Sequence, residues 1–414
     1  MLQSVRGSLA CMLVGLLAGC VTAPRLPPPP ALISRAAPAG FPPDIRLLTI
    51  DREDFLRRSP NVFGRLAQNA TGGSINYLVL SGGGSGGAFG AGALVGLSEA
   101  HARPQYDVVT GVSAGALLAP FAFLGPAWDP QLKDAFGGGH RLELLHSKAG
   151  SVLARLLFPR GTMEHNALAR LVDRYATEAM LQAIAAEWRK GRLLFVATTD
   201  LDKRETVLWN MGAIAAQGGA PALKLFREVL MASASVPGIF PPVLIRVREG
   251  DHEYDEMHVD GSVTTSLFAA PHAAQLLPVG EVGKLPVNLY VIVNGKLAGE
   301  PQKTPLNTID ILSRSFDADL TYKMREGVLL ALDYARQQHM HFRLTEIPPT
   351  YPSPSFIDFS PQSMRTLFDY AEGCAAGGQL WETPEYSIRR NLARIARNGG
   401  PAQDCPGSPS ADTP

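Results

Sequence analysis

Apolar positions along the chain fall into short continuous runs, broken by glycine-rich or polar segments and alternating with stretches of helical spacing. Such runs suit strands covered on both faces. Ile75–Leu80 is the first strong run; it breaks into a glycine loop, Gly82–Gly87, that feeds a helix of small residues. A second run, Val108–Val109, ends in Gly111-Val112-Ser113-Ala114-Gly115, and Ala114–Leu124 continues as a helix that is apolar all round and distorted near Pro120. Arg192–Thr198, Thr206–Trp209, Val243–Val247, Val287–Val293 and His341–Leu344 read as further strands, and His258–Asp260 closes another that Gly261 turns. His165–Tyr175, Glu178–Trp188, Leu223–Ala234, Asn307–Gln338 and Ser363–Cys374 read as helices, with a short strand at Ile45–Ile50 and a helix around Glu53–Gln68 ahead of the glycine loop. No internal repeat is visible. Strands alternating with helices predict a three-layer α/β/α domain around a mainly parallel central sheet.

The two ends do not fit this pattern. Arg6 followed by the apolar run Ser8–Leu17 is too short to span a bilayer and reads as a targeting segment. It ends in Leu17-Ala18-Gly19-Cys20, which resembles the lipobox of bacterial lipoproteins, in which the cysteine is lipidated and becomes the first residue. Val21, where inner-membrane lipoproteins usually carry Asp, implies an outer-membrane anchor facing the periplasm or the surface. The expected organisation is a signal peptide at 1–19, a proline-rich tether at 20–44, one catalytic domain at 45–390 with its motifs at 75–295, and a disordered tail at 391–414. As a polyproline II tether, the second segment would reach up to roughly 70 Å at ~3.1 Å per residue.

Composition narrows the field. The chain has 414 residues, 46% hydrophobic, which is enough for a large core, and 38 basic side chains balance 38 acidic ones. With no basic block, a nucleic-acid surface is not expected, and no protein-partner motif is visible. After cleavage at Cys20, Cys374 and Cys405 remain; pairing to staple the tail to the last helix and two free thiols are both open. No CxxC or His/Cys cluster points to a metal, and no cofactor is expected.

Gly111 to Gly115 fits G-x-S-x-G, which places a serine on a strained strand-to-helix turn with its hydroxyl presented to substrate. Side chains at Gly111 or Gly115 would strike the neighbouring strand and helix. The preceding loop offers consecutive backbone amides at a helix start, donors for an oxyanion, and the amide of Ala114 adds one more. Gly82, Gly84 and Gly87 also satisfy the dinucleotide pattern G-x-G-x-x-G. However, Asp107 sits at the start rather than the far end of the second strand, where that fold needs its acidic residue. A P-loop is excluded, since no Gly-Lys-Ser/Thr follows.

The nucleophile needs a base. SGGGSGGAFGAG, GVSAG, Met231–Pro242 (MASASVPGIFPP) and Asp260-Gly261-Ser262, in that order, resemble the bacterial patatin-like phospholipases, a family with a Ser–Asp dyad and no histidine. The resemblance covers about Leu78–Gly295. It implies Ser113 as nucleophile, Asp260 as base and Gly82, Gly83 and Gly84 as the oxyanion loop. It further implies hydrolysis of lipid esters through an acyl-enzyme, with membrane lipids as substrate, and the lipobox-like segment supplies Cys20 as anchor. The family loop is G-G-G-x-R/K-G, and here Gly86 stands at the basic position. That departure keeps two alternatives in view, a catalytically weak or inactive scaffold lipoprotein and a lipid acyltransferase. His258, two residues before Asp260 on the same strand face, offers a relay as a further alternative, with a structural or surface histidine as the default. His339 and His341 are expected to share an exposed strand edge. Met231–Pro242 is expected to pack beside the elbow helix, and Trp209, Phe240 and Phe268 to serve packing or an acyl pocket.

Overall fold

The computed structural model describes residues 25–29, 36–42, 45–48, 66, 73–138, 167–268, 285–299, 303–349, 351–352, 356–395 and 404–407. Cys20 and the targeting segment, most of the helix expected at Glu53–Gln68, and the chain between Gly139 and Asn166 lie outside them.

In chain order the strands are β1 (Ala37–Pro38), β2 (Arg46–Leu48), β3 (Ile75–Leu80), β4 (Val108–Val112), β5 (Leu193–Asp200), β6 (Glu205–Asn210), β7 (Val243–Glu249), β8 (His252–Asp260), β9 (Val287–Val293) and β10 (His341–Glu346). The helices are α1 (Gly87–Glu99), α2 (Ala114–Leu124), α3 (Asp129–Phe136), α4 (Ala167–Tyr175), α5 (Glu178–Arg189), α6 (Met211–Gln217), α7 (Gly219–Ser233), α8 (Thr308–Gln337), α9 (Pro361–Ala376) and α10 (Pro384–Ile395). Among the described residues, no helix is long and apolar enough to cross a membrane.

All ten strands form one sheet. Along its main path the order is β1-β7-β8-β5-β4-β3-β9-β10, and β6 pairs with β5 and β2. The expected parallel centre is present: β5, β4, β3, β9 and β10 run parallel to their neighbours. β8, β7 and β6 add an antiparallel wing on the β5 side. Alternation explains the two cores. Leu78 and Leu80 of β3 join a cluster with α1, α2 and α7, whereas Ile75, Tyr77 and Val79 join a second cluster with Leu320, Met324 and Val328 of α8. The sheet is thus covered on both faces. α9 lies on α1, where a side chain at Gly92 or Gly96 would strike the backbone of Phe368 or Glu372. That explains why α1 is built from small residues.

Three expectations change. The segment read as a free tether docks in part: the Leu26 carbonyl accepts from the Asp255 amide and its own amide donates to the Asp255 carboxylate, Arg25 binds Asp202 and the Asp255 carbonyl, and Ala37–Pro38 pairs with β7. Extended proline-rich chain leaves its carbonyls unpaired, and a sheet edge can use them. His339 turns the chain after α8 with φ 53° and is not on the strand that His341 opens. Cys405, inside the tail read as disordered, is disulfide-bonded to Cys374 on α9, the helix expected at Ser363–Cys374, so of the two open readings the pairing is the one formed.

Candidate active site

β4 runs into α2 through Ser113, which adopts φ 54° and ψ −123°, a strained conformation for a residue with a side chain. Its neighbours make the turn possible: a Cβ on Gly111 would overlap the Gly115 carbonyl, and one on Gly115 would overlap the carbonyls of Leu80 and Ser81. The expected elbow is formed. Ser113 is 5% exposed, and its hydroxyl donates to Asp260 Oδ2 at 2.6 Å.

Asp260 arrives from the antiparallel wing, at the end of β8, where the Ser262 amide donates to its Oδ1 at 2.8 Å. Its own amide donates to the Ser235 carbonyl, and its carbonyl accepts from Thr199 Oγ1. The side chain is buried completely. Burial pushes its pKa up to about 6, against the opposing pull of the Ser113 hydroxyl and the Ser262 amide. A carboxyl so tuned is half-ionised near pH 6 and mostly ionised at neutral pH, and it is a stronger base than an ordinary aspartate.

Of the glycine loop, Gly83 and Gly84 sit at φ 152° and 57°, and their amides have no partner among the described residues, nor has that of Ala114. Gly82 is a correction, because its amide donates to the Ser266 carbonyl at 2.9 Å. It shapes the loop beside Ser113 and does not serve an incoming carbonyl. Gly86 has a steric reason: a Cβ there would overlap the carbonyl of Asn294. With this backbone, the family's basic side chain does not fit.

His258 is no relay. Its ring contacts Thr198 Oγ1 at 3.0 Å and Glu256 Oε2 at 3.4 Å and lies edge-on to Trp209. It is fully buried, so the structural role holds and the surface one does not. Asp200, Glu256 and His258 come close enough to resemble a metal-ligand set, but Lys203 bridges the two carboxylates and Arg46 pairs with Glu256. Two cations already occupy that centre. Trp209 and Phe268 are fully packed in the two cores, and Phe240 is half-buried against the first.

Two residues with a part in the site were missed. Ser233, inside the segment assigned to packing, accepts the Ser113 amide at 3.0 Å and donates to the Ala197 carbonyl at 2.7 Å, so it fixes the elbow to β5. Asn294 follows β9 and grips the root of the glycine loop, donating from its amide to Ser81 Oγ at 2.8 Å and from its side chain to the Ser81 carbonyl at 2.7 Å. A polar residue directly after the apolar run Leu289–Val293, as in LYVIV-Asn294-Gly295, is the signal that would have found it.

A covered, centrally parallel sheet that presents a serine on a strand-to-helix turn has the architecture in which nucleophile elbows occur. More narrowly, residues 78–271 match the family described as "Patatin-like phospholipase". Residues 78–271 are therefore a patatin-like phospholipase domain. The matched stretch takes in the glycine loop, Ser113 and Asp260. No curated protein shows significant sequence similarity to the chain. Solved structures similar to it include VipD from Legionella pneumophila, at 14% identity over 78% of this chain and 70% of that one, with a TM-score of 0.36. Human GIVD cytosolic phospholipase A2 matches at 12% identity over 84% of this chain and 66% of its own, also at 0.36. The type III effector ExoU of Pseudomonas aeruginosa matches at 16% over 77% and 54%, at 0.28. The chain thus spans less than two-thirds of the latter two, and overlaps this loose bear on neither fold nor site.

Proposed function

We propose that the protein is a serine lipid acyl hydrolase in which Ser113 and Asp260 act as a dyad, held at a bacterial envelope membrane by a lipid on Cys20. The observation that carries the chemistry is the 2.6 Å hydrogen bond from the Ser113 hydroxyl to a fully buried carboxylate. Asp260 takes the hydroxyl proton as Ser113 Oγ attacks the ester carbonyl. The amides of Gly83, Gly84 and Ala114 receive the negative charge that forms on the carbonyl oxygen. Collapse of the tetrahedral intermediate expels the alcohol, which recovers the proton from Asp260. Water then attacks the acyl-enzyme, Asp260 taking its proton, and the fatty acid leaves as Ser113 is re-formed. Transfer of the acyl group to a second lipid differs only in the final acceptor.

The disulfide between Cys374 and Cys405 supports an oxidising compartment, in keeping with the lipobox-like Leu17–Cys20. The test uses the purified full-length protein. A fluorophosphonate probe should label the wild type and leave Ser113→Ala unlabelled, and a medium-chain nitrophenyl ester should give a burst only with the wild type. Unchanged labelling of Ser113→Ala would refute the assignment. Loss of radiolabelled palmitate incorporation in Cys20→Ser, in a bacterial host, tests the anchor.

A further inference from the structure

Directly after Asp260 the chain winds into one turn of 3-10 helix, Gly261–Val263, which the Asp260 carboxyl caps through the Ser262 amide. That cap fixes Ser262 beside the dyad. Ser262 is 3% exposed, and its hydroxyl makes no hydrogen bond of ordinary geometry among the described residues. A buried hydroxyl is costly to leave in that state and calls for a partner. Two neighbours show where it stands. A Cβ on Gly82 would lie 2.5 Å from Ser262 Oγ and 3.2 Å from Ser113 Cβ, so the space that glycine leaves open is bounded by this hydroxyl and the nucleophile. Burial raises Asp260, and the Ser262 hydroxyl is among the groups that pull it back, so these two side chains also lie together. The dyad chemistry uses the Ser262 amide and leaves its hydroxyl idle.

We infer that the Ser262 hydroxyl, together with Asp260, holds the water that releases the acyl group from Ser113. The inference rests on the acyl hydrolase reading above and names the group that selects water as the final acceptor. Ser113 and Asp260 are buried like Ser262, so the attacking water is held by the protein rather than drawn at random from bulk solvent. A water has two hydrogens. One goes to the Asp260 carboxylate and Ser262 Oγ accepts the other, which turns an oxygen lone pair toward the acyl carbon. The new C–O bond forms as Asp260 takes the first proton. The bond from the acyl carbon to Ser113 Oγ then breaks, that proton passes to Ser113 Oγ, and the fatty acid leaves with the second hydrogen on its new carboxyl. An alcohol has a single hydroxyl hydrogen, which Asp260 takes, and its carbon stands where water carries the second. Ser262 therefore favours water over an alcohol acceptor. By the same reasoning it gives nothing to the departing alcohol during acylation.

Ser262→Ala removes one oxygen and leaves the amide that caps Asp260, and its acyl-enzyme can be given a choice of acceptors. Full-length wild type and variant turn over nitrophenyl octanoate in buffer containing methanol, and the octanoic acid and methyl octanoate formed are quantified. The ratio of ester to acid should rise about tenfold in the variant, the worth of one hydrogen bond to the attacking water. That ratio is set after the acyl-enzyme forms, so it depends neither on the folded fraction nor on which step limits turnover. In the burst regime without methanol, kcat and KM should fall together about tenfold, while kcat/KM, which ends at acylation, stays within about twofold. An unchanged product ratio overturns the inference, even if kcat falls. A shifted pH midpoint of kcat/KM with an unchanged ratio also overturns it, because the hydroxyl would then act only on the charge of Asp260. Wild type that releases neither acid nor methyl ester overturns the acyl hydrolase reading, and this inference with it.

Discussion

Glu256 and Asp260 lie on one face of β8 and are both buried, yet the protein holds them in different states. Burial alone would raise Glu256, but Arg46 and Lys203, with His258 beside them, outweigh it and hold the carboxyl well below the usual range. Asp260 is met instead by neutral groups, the Ser113 hydroxyl and the Ser262 amide, and burial carries it up to about 6. One strand thus carries a fixed charge for the architecture and, two pleat repeats further, a titratable charge for chemistry. The partners, and not the burial, make the difference.

Exchanging each acid for its amide should separate the two roles. Asp260→Asn is expected to cut kcat by about 10³-fold, within the usual range for loss of a general base, with an unchanged or higher melting temperature. Turnover of a nitrophenyl ester and thermal melting measure both; an active Asp260→Asn protein would end the dyad reading. Glu256→Gln should do the opposite. It strands Arg46 in the interior, while Lys203 keeps Asp200, at a cost of about 3–5 kcal/mol in denaturant unfolding, with kcat in the folded fraction held within a few fold. Restoring the family's loop cation by Gly86→Arg should not raise activity. The side chain meets the Asn294 carbonyl, and overpacking of this sort costs about 1–3 kcal/mol.

The pH profile sharpens the contrast. Asp260 must be ionised to accept a proton, so kcat/KM should rise about tenfold per pH unit up to a midpoint near 6 and then level off. Stability runs the other way. The folded-state value of about 6 lies above an unfolded value near ~3.9, so the folded protein binds the extra proton between them. Asp260 therefore costs stability, on the order of 3 kcal/mol, as pH rises from about 4 through 6. Asp260→Asn should flatten that slope. A midpoint below 5 for activity would show that burial does not tune this carboxyl. The smallest effect is expected at His258→Gln, with kcat within about threefold of wild type; a dead variant would restore the relay.

What the sequence disclosed follows the range of the interactions. The elbow at Ser113 and the two-sided burial of β3 and β4 depend on residues close in the chain, and both are visible in glycine spacing and apolar runs. Asp260 lies 147 residues away from Ser113 and was reached through the resemblance, since nothing local marks a strand-end aspartate as a base. Ser233 was inside a recognised segment, but its grip on the Ser113 amide exists only after α7 packs under the elbow. Gly82 was misassigned for the same reason, because the Ser266 carbonyl that takes its amide comes from far along the chain. The docked stretch at Arg25–Pro29 was hidden by composition: proline there looks like spacer, and the β8 edge that receives it is not written nearby.

That docking has a consequence for how the protein sits. Arg25 is five positions after Cys20, a span of at most about 17 Å even fully extended. A domain of this size has a radius of gyration of roughly 20 Å. A lipid on Cys20 would therefore be on a leash shorter than the body it holds. The flank formed by the start of the chain and β8 would have to ride close to the bilayer, and the enzyme would patrol the leaflet in which its own anchor is planted.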